Sequence, residues 1–108
     1  SWLEAHVAAL EDQSQHRYDG ALIRPYTLLG DAHMGQGEHA EAIGYYQQAI
    51  HLTRVNGGLK SPEQVEIVYR EADALRALGQ LQEANSREEY AFHIASANAP
   101  DRDESLLP

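Results

Sequence analysis

The chain has 108 residues, enough for one small domain or a piece of a larger array, and 43% of them are hydrophobic but only 7% aromatic. Eight basic against 17 acidic residues give a net charge of −9, and no cluster of Lys or Arg forms the basic stripe that nucleic acid requires. There is no cysteine, so disulfide and thiolate chemistry are excluded, and cytoplasm and periplasm suit the composition equally. No apolar run approaches the ~20 residues of a membrane span. No targeting segment is visible, and the chain reads as a piece cut from a longer one.

Alanine abundance favours closely packed helices over a sheet sandwich. Residues 1–12 place Trp2 or Leu3, His6, Val7 and Leu10 on one side at helical spacing. Residues 13–18 lose the pattern. Asp19 offers an N-cap, and Pro25 fits only in a first helical turn, where its missing N–H has no intrahelical partner. The spacing therefore predicts a helix from Arg24 or Pro25, with 20–23 as a looser lead-in. Gly35-Gln36-Gly37 ends it. A second helix is expected from Glu38 to about Val55, stopped by Asn56-Gly57-Gly58. Ser61 is expected to cap a third helix, with Pro62 at its first position and Gln64 closing a capping box. That helix ends at Gly79, and a fourth runs from Leu81 to about Ala97. No strand is expected, and residues 98–108 are expected to be a disordered tail.

Shifted by 42 positions, the sequence meets itself. Asp31-Ala32 falls on Asp73-Ala74, Gly37 on Gly79, Glu41-Ala42 on Glu83-Ala84, Ala49 on Ala91 and His51 on His93. Internal periodicity of this kind marks a solenoid of stacked units. The repeat divides the chain into a unit at 19–58, a looser unit at 61–97, and residues 1–17 as the second helix of a preceding, truncated unit. Glu71 and Glu88 depart from apolar positions, and either they face outward or the helix is rotated from this register. His51 and His93, equivalent in the repeat, are expected to share an inter-helix role.

The first unit resembles a tetratricopeptide repeat on Tyr26, Leu29-Gly30, His33, Gly37, Ala42, Tyr46 and Ala49, with His33 in a slot where an aromatic is usual. The second matches at Val68, Ala72, Leu75, Gly79, Ala84 and Ala91. The 42-residue step and the Ser-Pro lead-in resemble the kinesin-light-chain variety of the repeat. The resemblance implies an all-α, right-handed superhelical stack of antiparallel helix pairs. It also implies a non-catalytic scaffold that binds a peptide or helical segment of a protein partner, without a cofactor. The alternatives are a module that stacks into a homo-oligomer through its repeat ends and a regulatory appendage of a larger enzyme. The first helix of each pair would line a concave groove, with Arg24, Thr27, Asp31 and Met34 from one unit and Glu66, Tyr69, Arg70, Asp73 and Arg76 from the next. Arg70 and Arg76 are expected to meet acidic side chains there, and Asp31 and Asp73 to prefer a basic or amide-rich segment.

Other motifs carry less. Six histidines form no His-x₃-His or HExxH pair, so no metal site is expected. Gly35-x-Gly37-x-x-Ala40 mimics a dinucleotide fingerprint, but no strand precedes it.

Overall fold

The computed structural model describes residues 2–14 and 20–99, with side chains for 2–9 and 20–99. All regular structure in this span is helical. Helix α1 covers Trp2–Ser14, a 3₁₀ turn covers Gly20–Leu22, and α2 covers Ile23–Gly35. Helices α3, α4 and α5 cover His39–Gly57, Gln64–Ala77 and Leu81–Asn98. Each helix packs chiefly on its neighbours in the chain, so two antiparallel hairpins, α2/α3 and α4/α5, stack through α3 and α4. The result is a slab of 54 × 35 × 18 Å, about two helices deep. This is the all-α stack of helix pairs that the sequence predicts.

Both hairpins turn by the same device. Gly37 and Gly79 adopt φ of +79° and +82°, which a side chain would strain. The Gly37 N–H donates to Met34 O and the Glu38 N–H to His33 O. Forty-two residues on, Gly79 donates to Arg76 O and Gln80 to Leu75 O. These paired bonds are a Schellman ending, which satisfies carbonyls the helix leaves open. The following helix starts at once, because Glu38 O and Gln80 O accept from Ala42 and Ala84.

Helix α2 begins at Ile23, one residue before the predicted boundary, and Pro25 still falls in its first turn, where the N–H groups have no intrahelical acceptor. The capping prediction at Ser61 fails. Helix α4 starts at Gln64 behind Glu63, without a side-chain cap. Gln64 is fully buried instead. Its amide donates to Leu59 O and Ser61 O, both at 2.9 Å, and its oxygen accepts from Tyr90 at 2.8 Å and Arg54 at 3.0 Å. All four bonds that a glutamine amide can make are thereby made.

The core is built from small and aliphatic side chains, as the composition suggests. Ala42, Ala49, Ala84 and Ala91 have no exposed surface and let helices approach closely, while Leu22, Tyr26, Leu29, Tyr46 and Ile50 fill the first hairpin. Among the described side chains of α1, Val7 alone is buried and Leu3 packs on the core, while the Leu10 side chain lies outside the described residues. Trp2 and His6, predicted on the same face, lie on the outside and stack on one another at 5.3 Å. The Asp19 cap and the tail from Pro100 onward lie outside the described residues, and Asn98 belongs to α5.

Candidate functional site: the face shared by α2 and α4

Helix α2 brings Ile23, Arg24 and Thr27 to one wall of a surface cleft of about 370 Å³, and α4 brings Glu66, Ile67 and Arg70 to the other, with Glu63 just ahead of its first turn. The cleft is rimmed by charge. Thr27 donates to Ile23 O at 2.8 Å, a bond within its own helix that leaves the hydroxyl oxygen able to accept. Arg24 is exposed and makes no ion pair among the described residues.

Asp31 is the hinge of this face. One carboxylate oxygen accepts from the Tyr46 hydroxyl at 2.5 Å and the other from Arg70. Three helices, α2, α3 and α4, therefore meet on one side chain. Arg70 also donates to Glu66 at 2.6 Å, and these two carboxylates, Glu66 first, push its guanidinium pKa further up. Asp31 is thus neutralised within the fold, and Arg70 is spent holding α4 to α2. Arg76 likewise bonds Glu88 at 2.8 Å and lies 3.6 Å from Asp73. The expectation that Arg70 and Arg76 reach out to a partner meets two arginines already engaged inside the molecule.

The remaining groove candidates separate. Met34 packs against the core, with His39 Nδ1 3.3 Å from its sulfur. Tyr69 lies across α4 from the cleft's apolar floor and opens towards α5, beside Glu88, Glu89 and Phe92. His33 stacks on Tyr45 at 5.1 Å and donates to Glu38 at 2.7 Å, as befits a ring in an aromatic slot. His51 and His93 are both exposed, so their equivalence does not bury either between helices.

Burial, and then the Asp31 carboxylate, push the Tyr46 hydroxyl well above the usual tyrosine range. A raised pKa means that the fold favours the neutral form. That contribution is complete below the ordinary tyrosine value of about 10 and is lost as pH rises beyond it. Alkaline titration at the phenolate absorbance should show at least one of the six tyrosines ionising only as the chain unfolds. Tyr46→Phe should remove that coupled step at a cost of about 1 kcal/mol. Ionisation of all six before unfolding would contradict the assignment.

A second polar assembly was missed by sequence reasoning. Glu71 does not face outward and is only 3% exposed. It accepts from Arg87 at 2.8 Å and from Gln47 at 3.1 Å, tying α4 to α5 and α3. Arg87 and Arg54 each hold their guanidinium about 5 Å from the Tyr90 ring centre, a cation–π distance. Glu88, the other acid at an apolar position, is half-buried against Arg76. The only hint in the sequence was the coincidence of Glu71 with Leu29 and of Gln64 with Leu22 in the 42-residue shift. Among the described residues no buried side-chain N or O lacks a partner, and no three potential metal ligands converge. No helix of the described residues is long and apolar enough to cross a membrane.

Comparison with curated proteins and with solved structures gives no match. A family comparison does: residues 24–54, the stretch from Arg24 in α2 to Arg54 in α3, match the model of the tetratricopeptide repeat, a unit that typically serves protein–protein interaction without catalysis.

Proposed function

We propose that the protein is a non-catalytic interaction scaffold that takes an extended or helical segment of a partner protein in the cleft between α2 and α4. The observation that carries this reading is Arg24. It stands exposed on the matched repeat, at the edge of an apolar floor of Ile23 and Ile67, with Glu63 and Glu66 on the opposite wall. An occupant with one apolar side chain between an acidic and a basic group fits such a cleft. The second hairpin is read as a divergent unit of the same repeat at a step of 42, of the kinesin-light-chain variety, and α1 as the second helix of a unit before it. The common Schellman turns support that reading. The acidity of the chain argues against nucleic acid as the partner.

Arg24→Glu is the clean probe, because reversal at Arg70 or Arg76 would break bonds that hold helices together. With a photo-cross-linker at position 27, the native protein should capture a partner in extracts. Arg24→Glu should weaken that capture about tenfold while leaving the melting temperature unchanged. A partner that cross-links equally to both proteins would overturn the groove assignment.

A further inference from the structure

The two hairpins differ most in what covers them. On α3, Ile43 packs on Ala72, Leu75 and Ala84, Gln47 donates to Glu71, and Ile50 is 2% exposed in one cluster with Ile67 and Val68. This face of α3 is closed by α4. Forty-two residues on, α5 carries Asn85, Glu89 and Phe92 at the same places, and there all three are exposed. Phe92 is 68% exposed. With Tyr69 and Glu88 they line an open cleft of about 610 Å³. A phenylalanine thus stands in water where the other hairpin buries an isoleucine.

The way α4 lies on the first hairpin gives the template for what closes the second. Arg70 of α4 meets Asp31, and the next residue, Glu71, meets Gln47. The counterparts on the open face are Asp73, whose side chain is 68% exposed and 3.6 Å from Arg76, and Glu89, which has no ion pair among the described residues. An amide has become a carboxylate, which can only accept, so the complementary group must now be a donor, and a cation also answers its charge.

We propose that the open face of α4 and α5 receives a basic amphipathic helix of a partner protein, laid along it as α4 is laid on α2 and α3. Its apolar stripe covers Phe92 and Tyr69, and consecutive basic residues reach Asp73 and Glu89. This surface is separate from the Arg24 cleft. Two other occupants fail on charge. Residues 100–108 carry Asp101, Asp103 and Glu104 against one Arg102. A second copy would offer α1, whose exposed Trp2 is accompanied by Glu4, Glu11 and Asp12 and by no Lys or Arg. Either would set carboxylates against Glu89.

The test uses the whole protein and a labelled synthetic peptide copied from residues 62–79, with Glu66→Lys and Glu71→Lys to make it basic, followed by fluorescence anisotropy. The unaltered acidic peptide is the control. Saturable binding is expected for the basic peptide, about tenfold stronger than for the control. Phe92→Ser and Glu89→Lys should each weaken it about tenfold, and Arg24→Glu should leave it unchanged. Phe92 is exposed, so both variants should melt with the parent. The proposal is overturned if no saturable binding occurs, if Phe92→Ser or the acidic peptide binds equally well, or if only Arg24→Glu weakens binding. It is equally overturned if the protein alone sediments as a dimer that Phe92→Ser dissociates. Tenfold stronger peptide binding after truncation at Ala99 would identify the tail as the occupant and sink it too.

Discussion

Gly30→Ala should lower the melting temperature by roughly 10 °C, a loss of about 2 kcal/mol for a domain of this size. Helix propensity alone predicts the opposite, since alanine in a helix interior is worth about 1 kcal/mol over glycine. Packing reverses the sign. A β-carbon at Gly30 would stand 2.4 Å from Tyr46 Cε1 and 2.6 Å from Cδ1. Those atoms belong to a ring that is 2% exposed and tethered at its hydroxyl to Asp31, so it has nowhere to swing. Overpacking of this kind costs about 1–3 kcal/mol, and displacing the hydroxyl forfeits about 1 kcal/mol more. The second hairpin supplies the control. Its Ala72 sits at the place of Gly30, and the ring of Tyr46 is there replaced by Glu88. In a Tyr46→Leu background Gly30→Ala should therefore cost nothing further. A Gly30→Ala single variant that melts at or above the parent would show that the ring does not enforce the glycine.

Arg87→Ala should cost about 3 kcal/mol, measured by denaturant unfolding, because it leaves Glu71 buried with only Gln47 to donate to it. Removing both partners should cost far less. Leu29 is the counterpart of Glu71 in the first hairpin, so the site geometry accepts a leucine. Glu71→Leu with Arg87→Leu should fall within about 1 kcal/mol of the parent, since a packed apolar pair avoids the desolvation that a buried ion pair carries. Additive losses in the double variant would mean that the two side chains are not coupled.

Much of the fold is legible in the sequence. Gly37 and Gly79 announce their turns because only glycine is comfortable at their φ, and that constraint is local. Ala42, Ala49, Ala84 and Ala91 announce close helix contacts for a similar reason: their size is the message. What was illegible was polar burial. The run Ser61-Pro62-Glu63-Gln64 obeys a capping rule within four residues, yet Gln64 is claimed by Arg54 and Tyr90, 10 and 26 positions away. Glu71 reads as a surface acid until Arg87 is known to lie beside it on another helix. The groove suffered the same way. Spacing puts Arg70 on the right face of its helix and shows Glu66 four residues before it. It does not reveal that Asp31, 39 residues earlier, has already taken the guanidinium. Local rules foresee backbones and small side chains, and charges choose among partners that only the tertiary fold assembles.

The unlike interiors of the two hairpins bear on how such a chain avoids tangling. Stacked helical units present similar surfaces to one another, which invites mispairing between neighbouring molecules during folding, by exchange of one hairpin for another. Here the surfaces are keyed. The place filled by Leu22 and Leu29 in one hairpin is filled by Gln64 and Glu71 in the next, and Arg54, Arg87 and Tyr90 bond the latter pair. A chain that docked α2 where α4 belongs would strand two guanidinium groups against leucine. The same polar residues that make the second hairpin look like a poor repeat thus act as its address label.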